Sequence, residues 1–366
     1  MPQPLAFNGA GLNVPQTFAA ALDLHRQGRL TEAELHYRTI LAARPDHFDA
    51  LHMLGVIKLD QGQLGEALNL IAAAMKSKTP SPQILLNYGL VLSALSRHAE
   101  ALDHFDQAIK RKSKYSDAHI NRAAALAVLG RDDEAVAACR KALAIVPNNA
   151  QAHYNLGNSL RRLGRPDEAL ASLERALRLR PAYPSALNSR GMILQDMKRH
   201  DEALASFDAA LALQPVDADA LNNRGSVLLA LGRADEALAS FDRALALQPN
   251  DAQVLYNRAN ALKELERLDE ALASYDRALA LLPAFAEAHN NRGSTLHELE
   301  RFEEALASFD AALELQPDND DALGNRSNTL NALGRFTEAQ EAQDRAFAVR
   351  AARIGEGDGS GAISAL

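Results

Sequence analysis

The 366-residue sequence predicts an all-α solenoid of about ten stacked helical hairpins, and three series of residues predict it. Prolines recur at one constant step, at Pro147, Pro181, Pro215, Pro249, Pro283 and Pro317. Alanines keep the same step at Ala67, Ala101, Ala135, Ala169, Ala203, Ala237, Ala271, Ala305 and Ala339. Small residues at Gly55, Gly89, Ala123, Gly157, Gly191, Gly225, Ala259, Gly293 and Ser327 form the third series. Self-similarity at such a period marks a repeat architecture, in which each unit completes its core by stacking on its neighbours.

Within one unit, Ala218 to Asp251, apolar residues fall three or four apart in LNNRGSVLLAL and again in EALASFDRALAL, the period of two amphipathic helices. Gly232 and Arg233 interrupt the pattern at a short turn. Gly225 and Ala237 let the paired helices approach, while Leu221 and Phe241 fill the space between them. The acids that open each second helix, such as Asp235 and Glu236, suit the positive end of the helix dipole.

These residues resemble the tetratricopeptide repeat, as in YNLGNSL with Tyr154, Asn155, Leu156 and Gly157, followed by DEALASLERAL and Pro181. The resemblance covers ten units over 14–353, with an N-terminal extension at 1–13 and a glycine-rich C-terminal tail at 354–366. It departs at Ser113 and Ala351, which replace the boundary proline. What the resemblance implies is a right-handed superhelix of antiparallel helix pairs. The tail, IGEGDGSGAISAL, does not read as another helix. It leaves three readings for the end of the array: a polar tenth hairpin, contact with another copy, or a longer native chain.

Composition bounds the function. Hydrophobic residues make up 47% and charged residues 23%, enough apolar material for a core. The single cysteine, Cys139, forms no internal disulfide and no thiolate cluster. A net charge of −8 argues against a general nucleic-acid binder. No signal-like start or long apolar run appears, so a cytoplasmic chain without membrane insertion is expected. There is no phosphate-binding loop, dinucleotide fingerprint or GxSxG elbow, so neither an enzyme nor a cofactor is expected. The eleven histidines fall mostly singly; His119, His153 and His289 share the fourth position of the first helix and read as packing residues. His47 and His52 near Asp46 and Asp49 lack a zinc spacing.

Six arginines share the seventh position of the first helix: Arg122, Arg190, Arg224, Arg258, Arg292 and Arg326. Each follows an acid at one fixed interval, namely Asp106, Glu174, Asp208, Asp242, Asp276 and Asp310. Where Leu54, Tyr88 or Leu156 replaces the arginine, Arg38, Ala72 or Arg140 replaces the acid. This matching predicts an ion pair between successive units in preference to a row of phosphate-binding cations.

Positions 2, 6, 9 and 13 of the first helix share one stripe. Position 6 is Asn87, Asn121, Asn155, Asn223, Asn257, Asn291 and Asn325, broken by Ser189. Either each amide bonds to a neighbouring helix, or the row forms a ladder whose donors and acceptors match an extended peptide backbone. The second reading resembles the peptide-binding repeats of O-linked N-acetylglucosamine transferases. Met53 and Ser189 depart from that pattern, and no glycosyltransferase domain appears in the sequence. Asn158, Asn260 and Asn328 at position 9, with Asp219 and Glu287 at position 2, complete the candidate peptide site. Tyr154 and Tyr256 lie beside it, and its acids favour basic or hydroxyl-bearing peptides. A carboxylate clamp for acidic tails is not expected, because position 5 never carries lysine.

Residues 1–180 hold 22 Lys plus Arg against 17 Asp plus Glu, net +5, whereas 181–366 hold 17 against 30, net −13. Lys110, Arg111, Lys112 and Lys114 form the densest basic cluster. The leading expectation is a non-catalytic scaffold for a protein or extended peptide, held on the concave face. Homo-oligomeric assembly, or substrate recruitment for a glycosyltransferase system, is the alternative.

Overall fold

The structure is a computed structural model, and it describes residues 12–76 and 79–359, with side chains to 352. Twenty α-helices and no strand occur among the described residues. The chain forms two compact units, Met1–Pro181 and Ala182–Leu366.

The first unit pairs α1 (Val14–Arg26) with α2 (Leu30–Ala43), and α3 (Phe48–Asp60) with α4 (Leu64–Ala74). It continues with α5 (Pro82–Ala94), α6 (His98–Arg111), α7 (Ser116–Val128), α8 (Asp132–Ile145), α9 (Ala150–Arg162) and α10 (Pro166–Leu179). The second unit pairs α11 (Pro184–Asp196) with α12 (His200–Leu213), and α13 (Ala218–Ala230) with α14 (Ala234–Leu247). Then follow α15 (Ala252–Glu264), α16 (Leu268–Leu281), α17 (Ala286–Glu298), α18 (Phe302–Leu315), α19 (Asp320–Ala332) and α20 (Phe336–Gly359). Within each unit a helix packs on its hairpin partner and on the hairpin that follows.

Local chemistry sets these boundaries. Several first helices start on an Asn or Asp whose side chain accepts a free backbone N–H: Asn149 from Ala152, Asp217 from Ala220, Asp251 from Val254 and Asn319 from Ala322. Second helices start differently. Arg233 stands at the cap and grips Glu236 through two bonds of 2.7 and 2.8 Å, so the second of the paired acids is held by a side chain as well as by the dipole. The turn between paired helices closes at Gly232, with φ 71°, where Arg233 N–H reaches Leu228 O at 2.9 Å. Pro249 follows soon after α14 and cannot continue it.

The core of each hairpin lies where a small residue of the first helix meets a large one of the second. Phe241, Phe207, Phe105 and Phe309 are fully buried, and each ring lies under a glycine of the paired helix. A methyl group on Gly225 would stand 2.6 Å from the Phe241 ring, so contact between these helices depends on the missing side chain.

The two ends of the array depart from a simple reading of composition. The extension at 1–13 falls mostly outside the described residues, although Asn13 caps α1 by accepting from Gln16. At the other end α20 runs through Gly359, so no boundary falls at 354 as the glycine content suggested. Glycine disfavours a helix by roughly 1 kcal/mol per residue, which weakens but does not forbid extension of a helix already nucleated. The remainder of the tail, 360–366, lies outside the described residues.

Candidate functional site

Five of the expected ion pairs form inside the units. Arg122–Asp106 lies in the first, and Arg224–Asp208, Arg258–Asp242, Arg292–Asp276 and Arg326–Asp310 lie in the second, all at 2.6 Å. The arginines do more than pair. Arg190, Arg224, Arg258 and Arg292 also donate to Ser206, Ser240, Ser274 and Ser308 at 2.6–2.7 Å. In Arg224, Arg258 and Arg292 the guanidinium therefore ties the second helix of the preceding hairpin to the second helix of its own. The serine signal is present in the sequence, 16 residues beyond each of these arginines. In the last hairpin and at Arg122 the corresponding residues are Ala342 and Ala138, so this acceptor is missing there.

The asparagine row also makes contacts between repeats. Asn223 donates to Asn188 at 3.2 Å, Asn257 to Asn222 at 2.9 Å, and Asn325 to Asn290 at 3.1 Å. Asn291 donates to the Tyr256 hydroxyl at 2.9 Å, again 35 residues back. In the first unit Asn87 Nδ2 lies 2.8 Å from His52 Nε2, and Asn155 reaches Ile120 O at 3.5 Å. Asn121 departs from the series by donating to Asp117 O in its own helix. Position 6 therefore reaches position 5 of the preceding hairpin, a relationship hidden in the sequence because position 5 varies among His, Ile, Asn and Tyr.

These bonds leave capacity for a ligand. An amide has two N–H groups and an oxygen with two lone pairs. Asn223 and Asn325 each use one donor, and their side-chain oxygens take no hydrogen bond among the described residues. Asn155 and Asn257 accept from Gln151 and Gln253 at 2.9 and 3.2 Å. Asn121, Asn155, Asn223, Asn257, Asn291 and Asn325 are half-buried, whereas Asn87 is buried.

At position 9 the three asparagines differ. Asn260 Oδ1 accepts from Tyr275 at 2.5 Å and from Asn291 at 3.0 Å, so its oxygen is committed to the fold. Asn158 is half-buried and Asn328 is exposed. Asp219 and Glu287 are exposed, with Glu287 accepting from Gln316 at 3.3 Å. Tyr256 belongs to a packed cluster, 4.8 Å from the Phe285 ring and 6.0 Å from Tyr275.

Part of the second unit's row opens into a cavity of about 70 Å³, lined by Ser294, His297, Glu298, Phe309, Asn325 and Asn328. Its polar walls are fixed: Lys263 donates to Ser294 at 2.8 Å and pairs with Glu298 at 2.9 Å, while His297 Nδ1 lies 2.9 Å from Thr329 Oγ1. A site of this size suits a side chain more than a whole small molecule.

The position-4 histidines serve the turns. His119, His153 and His289 place Nε2 3.0–3.2 Å from the carbonyls of Ser113, Pro147 and Pro283. Burial holds His119 and His153 below the ordinary imidazole range. Among the described residues no group of three or more His, Cys, Asp or Glu is placed to hold a metal ion, and no helix is long and apolar enough to cross a membrane.

Tetratricopeptide repeat models match residues 114–182, 188–252, 256–320 and 298–353, together more than half of the chain. The TT21 fifth ARM repeats domain matches 17–128. No curated protein matches the chain. Among solved structures, PilW, a widely conserved type IV pilus biogenesis factor, is 28% identical at a TM-score of 0.51, covering 53% of this chain and 90% of that one. PilF of Pseudomonas aeruginosa is 24% identical at 0.52, covering 57% and 94%. A chain of the APC/C hetero-tetramer Cut9–Hcn1 is 16% identical at 0.60, covering 87% and 64%, a likeness of fold alone. The paired helices, their 34-residue step and these matches agree, and the chain belongs to the tetratricopeptide repeat family of protein-interaction scaffolds.

Proposed function

We propose that the chain holds an extended polypeptide along the stripe formed by the first helices of its second unit, with the half-buried asparagines contacting the peptide backbone. The observation that carries this reading is the common direction of the amides. Asn223, Asn257, Asn291 and Asn325 each reach back 35 residues; Asn223, Asn257 and Asn325 keep a second N–H for a ligand, whereas Asn291 donates to both Tyr256 and Asn260. An internal bond at one N–H also fixes the amide and reduces the entropy lost when a ligand binds.

The exposed Asp219 and Glu287 favour peptides with basic or hydroxyl-bearing side chains. The corresponding experiment captures peptides on the immobilised chain and repeats the capture with Asn223→Ala and Asn325→Ala, singly and together. Because these amides also join repeats, thermal unfolding is measured in parallel, and Asp219→Asn with Glu287→Gln provides a second variant that preserves those bonds. Broad loss in the first set, and selective loss of basic peptides in the second, is expected. Unchanged capture by both folded sets would overturn the reading.

A further inference from the structure

The first unit carries an exposed basic strip where second helices end and the next hairpin begins. Lys110 and Arg111 lie in the last turn of α6, Lys112 caps it, and Lys114 lies in the turn before α7. Lys76 follows α4, one repeat before Lys110, and Lys141 stands near the end of α8. Arg111 is engaged by Pro80 O, and Lys112 lies 4.5 Å above the Tyr115 ring. None of the five lysines makes an ion pair among the described residues.

The helix dipole accounts for some cations at these ends. It is insufficient by itself, because the corresponding ends in the second unit are Leu213, Leu247, Leu281 and Leu315, all exposed by 41–47%. The same helix termini therefore fold without lysines.

The second unit carries the opposite charge at its turns between paired helices. Glu264, Glu266 and Asp269 surround the turn from α15 to α16, and Glu300 and Glu303 repeat the pattern from α17 to α18. All five are exposed and make no ion pair among the described residues. Lys76 and Lys110 on one strip, and Glu266 with Glu300 and Asp269 with Glu303 on the other, are each 34 residues apart, so these charges can meet at a common spacing. The net charges of +5 for 1–180 and −13 for 181–366 favour encounter in the same sense.

We propose that the chain binds a second copy of itself by docking the lysine strip of one molecule on the glutamate strip of another. This contact is heterologous, and apart from Glu264, which stands at position 13 of α15, its residues lie off the positions assigned to the peptide stripe. Exposed charges attract over about 30 Å at about 0.01 M ionic strength but over only about 3 Å at about 1 M, so association depends strongly on salt.

The test is light scattering of the full chain over a wide range of concentration at both ionic strengths. The mean mass should rise with concentration at low salt and return to one chain at high salt. Changing Lys110→Glu, Lys112→Glu and Lys114→Glu together should weaken association about tenfold or more. Glu266→Gly with Glu300→Gly should weaken it comparably without lowering the melting temperature, because both residues occupy left-handed turns at φ 57° and 59°. An equimolar mixture of the lysine-strip variant with Glu266→Lys/Glu300→Lys should associate although neither does alone, because the lysine strip intact in one chain meets the glutamate strip intact in the other. A single-chain mass at every low-salt concentration overturns the proposal, as does a mixture that stays unassociated. So does association that resists both substitutions, or that responds only to the lysine changes, which would assign the basic strip to another polyanion.

Discussion

Arg258 Nε lies 2.6 Å from Asp242 Oδ1, joining two consecutive hairpins through residues 16 apart. The same guanidinium reaches Ser274 Oγ at 2.7 Å, and Ser274 in turn donates to Glu270 O at 3.0 Å. Asp242 is 51% exposed while Arg258 is 22% exposed, so the acid side is substantially screened. Arg258→Ala should therefore destabilise by about 1–2 kcal/mol through lost packing and two lost partners. Asp242→Asn should cost less than about 1 kcal/mol. Urea midpoints of the two variants check the ranking; equal losses would place the energy in the ion pair alone.

Gly225 and Phe241 carry a steric prediction. Gly225→Ala places its methyl group 2.6 Å from the ring, and the expected loss is about 1–3 kcal/mol from overpacking. Elsewhere the chain has alanine at this register opposite a smaller partner, as with Ala123 and Cys139. At Ala259 the facing residue is Tyr275, anchored by its hydroxyl on Asn260 at 2.5 Å, an anchor that Phe241 lacks. A double-mutant cycle with Phe241→Cys should show coupling, because the smaller side chain leaves room for the new methyl group. Additive losses in thermal unfolding would remove close contact as the reason for glycine.

The hairpins and the Arg–Asp pairs were legible because both recur at fixed intervals, one set by the length of a repeat and a shorter one by the distance from acid to arginine. The asparagine row was legible as a row, but its partners were not. Position 5 presents Asn188, Asn222, Tyr256 and Asn290 in the second unit, so the shared property is an acceptor atom and not a residue type. The continuation of α20 to Gly359 was also missed, because glycine content marks a helix as costly without locating its end.

Lys198 carries a backbone prediction. It closes the turn from α11 to α12 at φ 59°, where Gly232 and Gly334 close comparable turns at 71° and 75°. A side chain in this left-handed region costs roughly 1 kcal/mol, whereas glycine adopts it freely. Lys198→Gly should thus stabilise by a few tenths to about 1 kcal/mol, reduced by the greater freedom of glycine in the unfolded chain. A lower melting temperature would show that the lysine contributes an interaction larger than its strain.

His52 carries the pH prediction. It is buried, and burial lowers its pKa to about 4, with the nearby Asp49 carboxylate acting weakly in the opposite direction. Asn87 Nδ2 lies 2.8 Å from Nε2, so a donating amide requires an unprotonated nitrogen there. In the unfolded chain the ring titrates near its ordinary value of about 6.5. Between about pH 6.5 and 4 the unfolded chain binds a proton that the folded chain excludes, so this contribution to stability is present at neutral pH, falls as pH decreases, and levels off below the folded pKa. The loss should be on the order of 3 kcal/mol. His52→Gln retains an acceptor for Asn87 but removes the titration, so its stability should change less over the same interval. Parallel pH profiles for the two proteins would exclude His52 as the source.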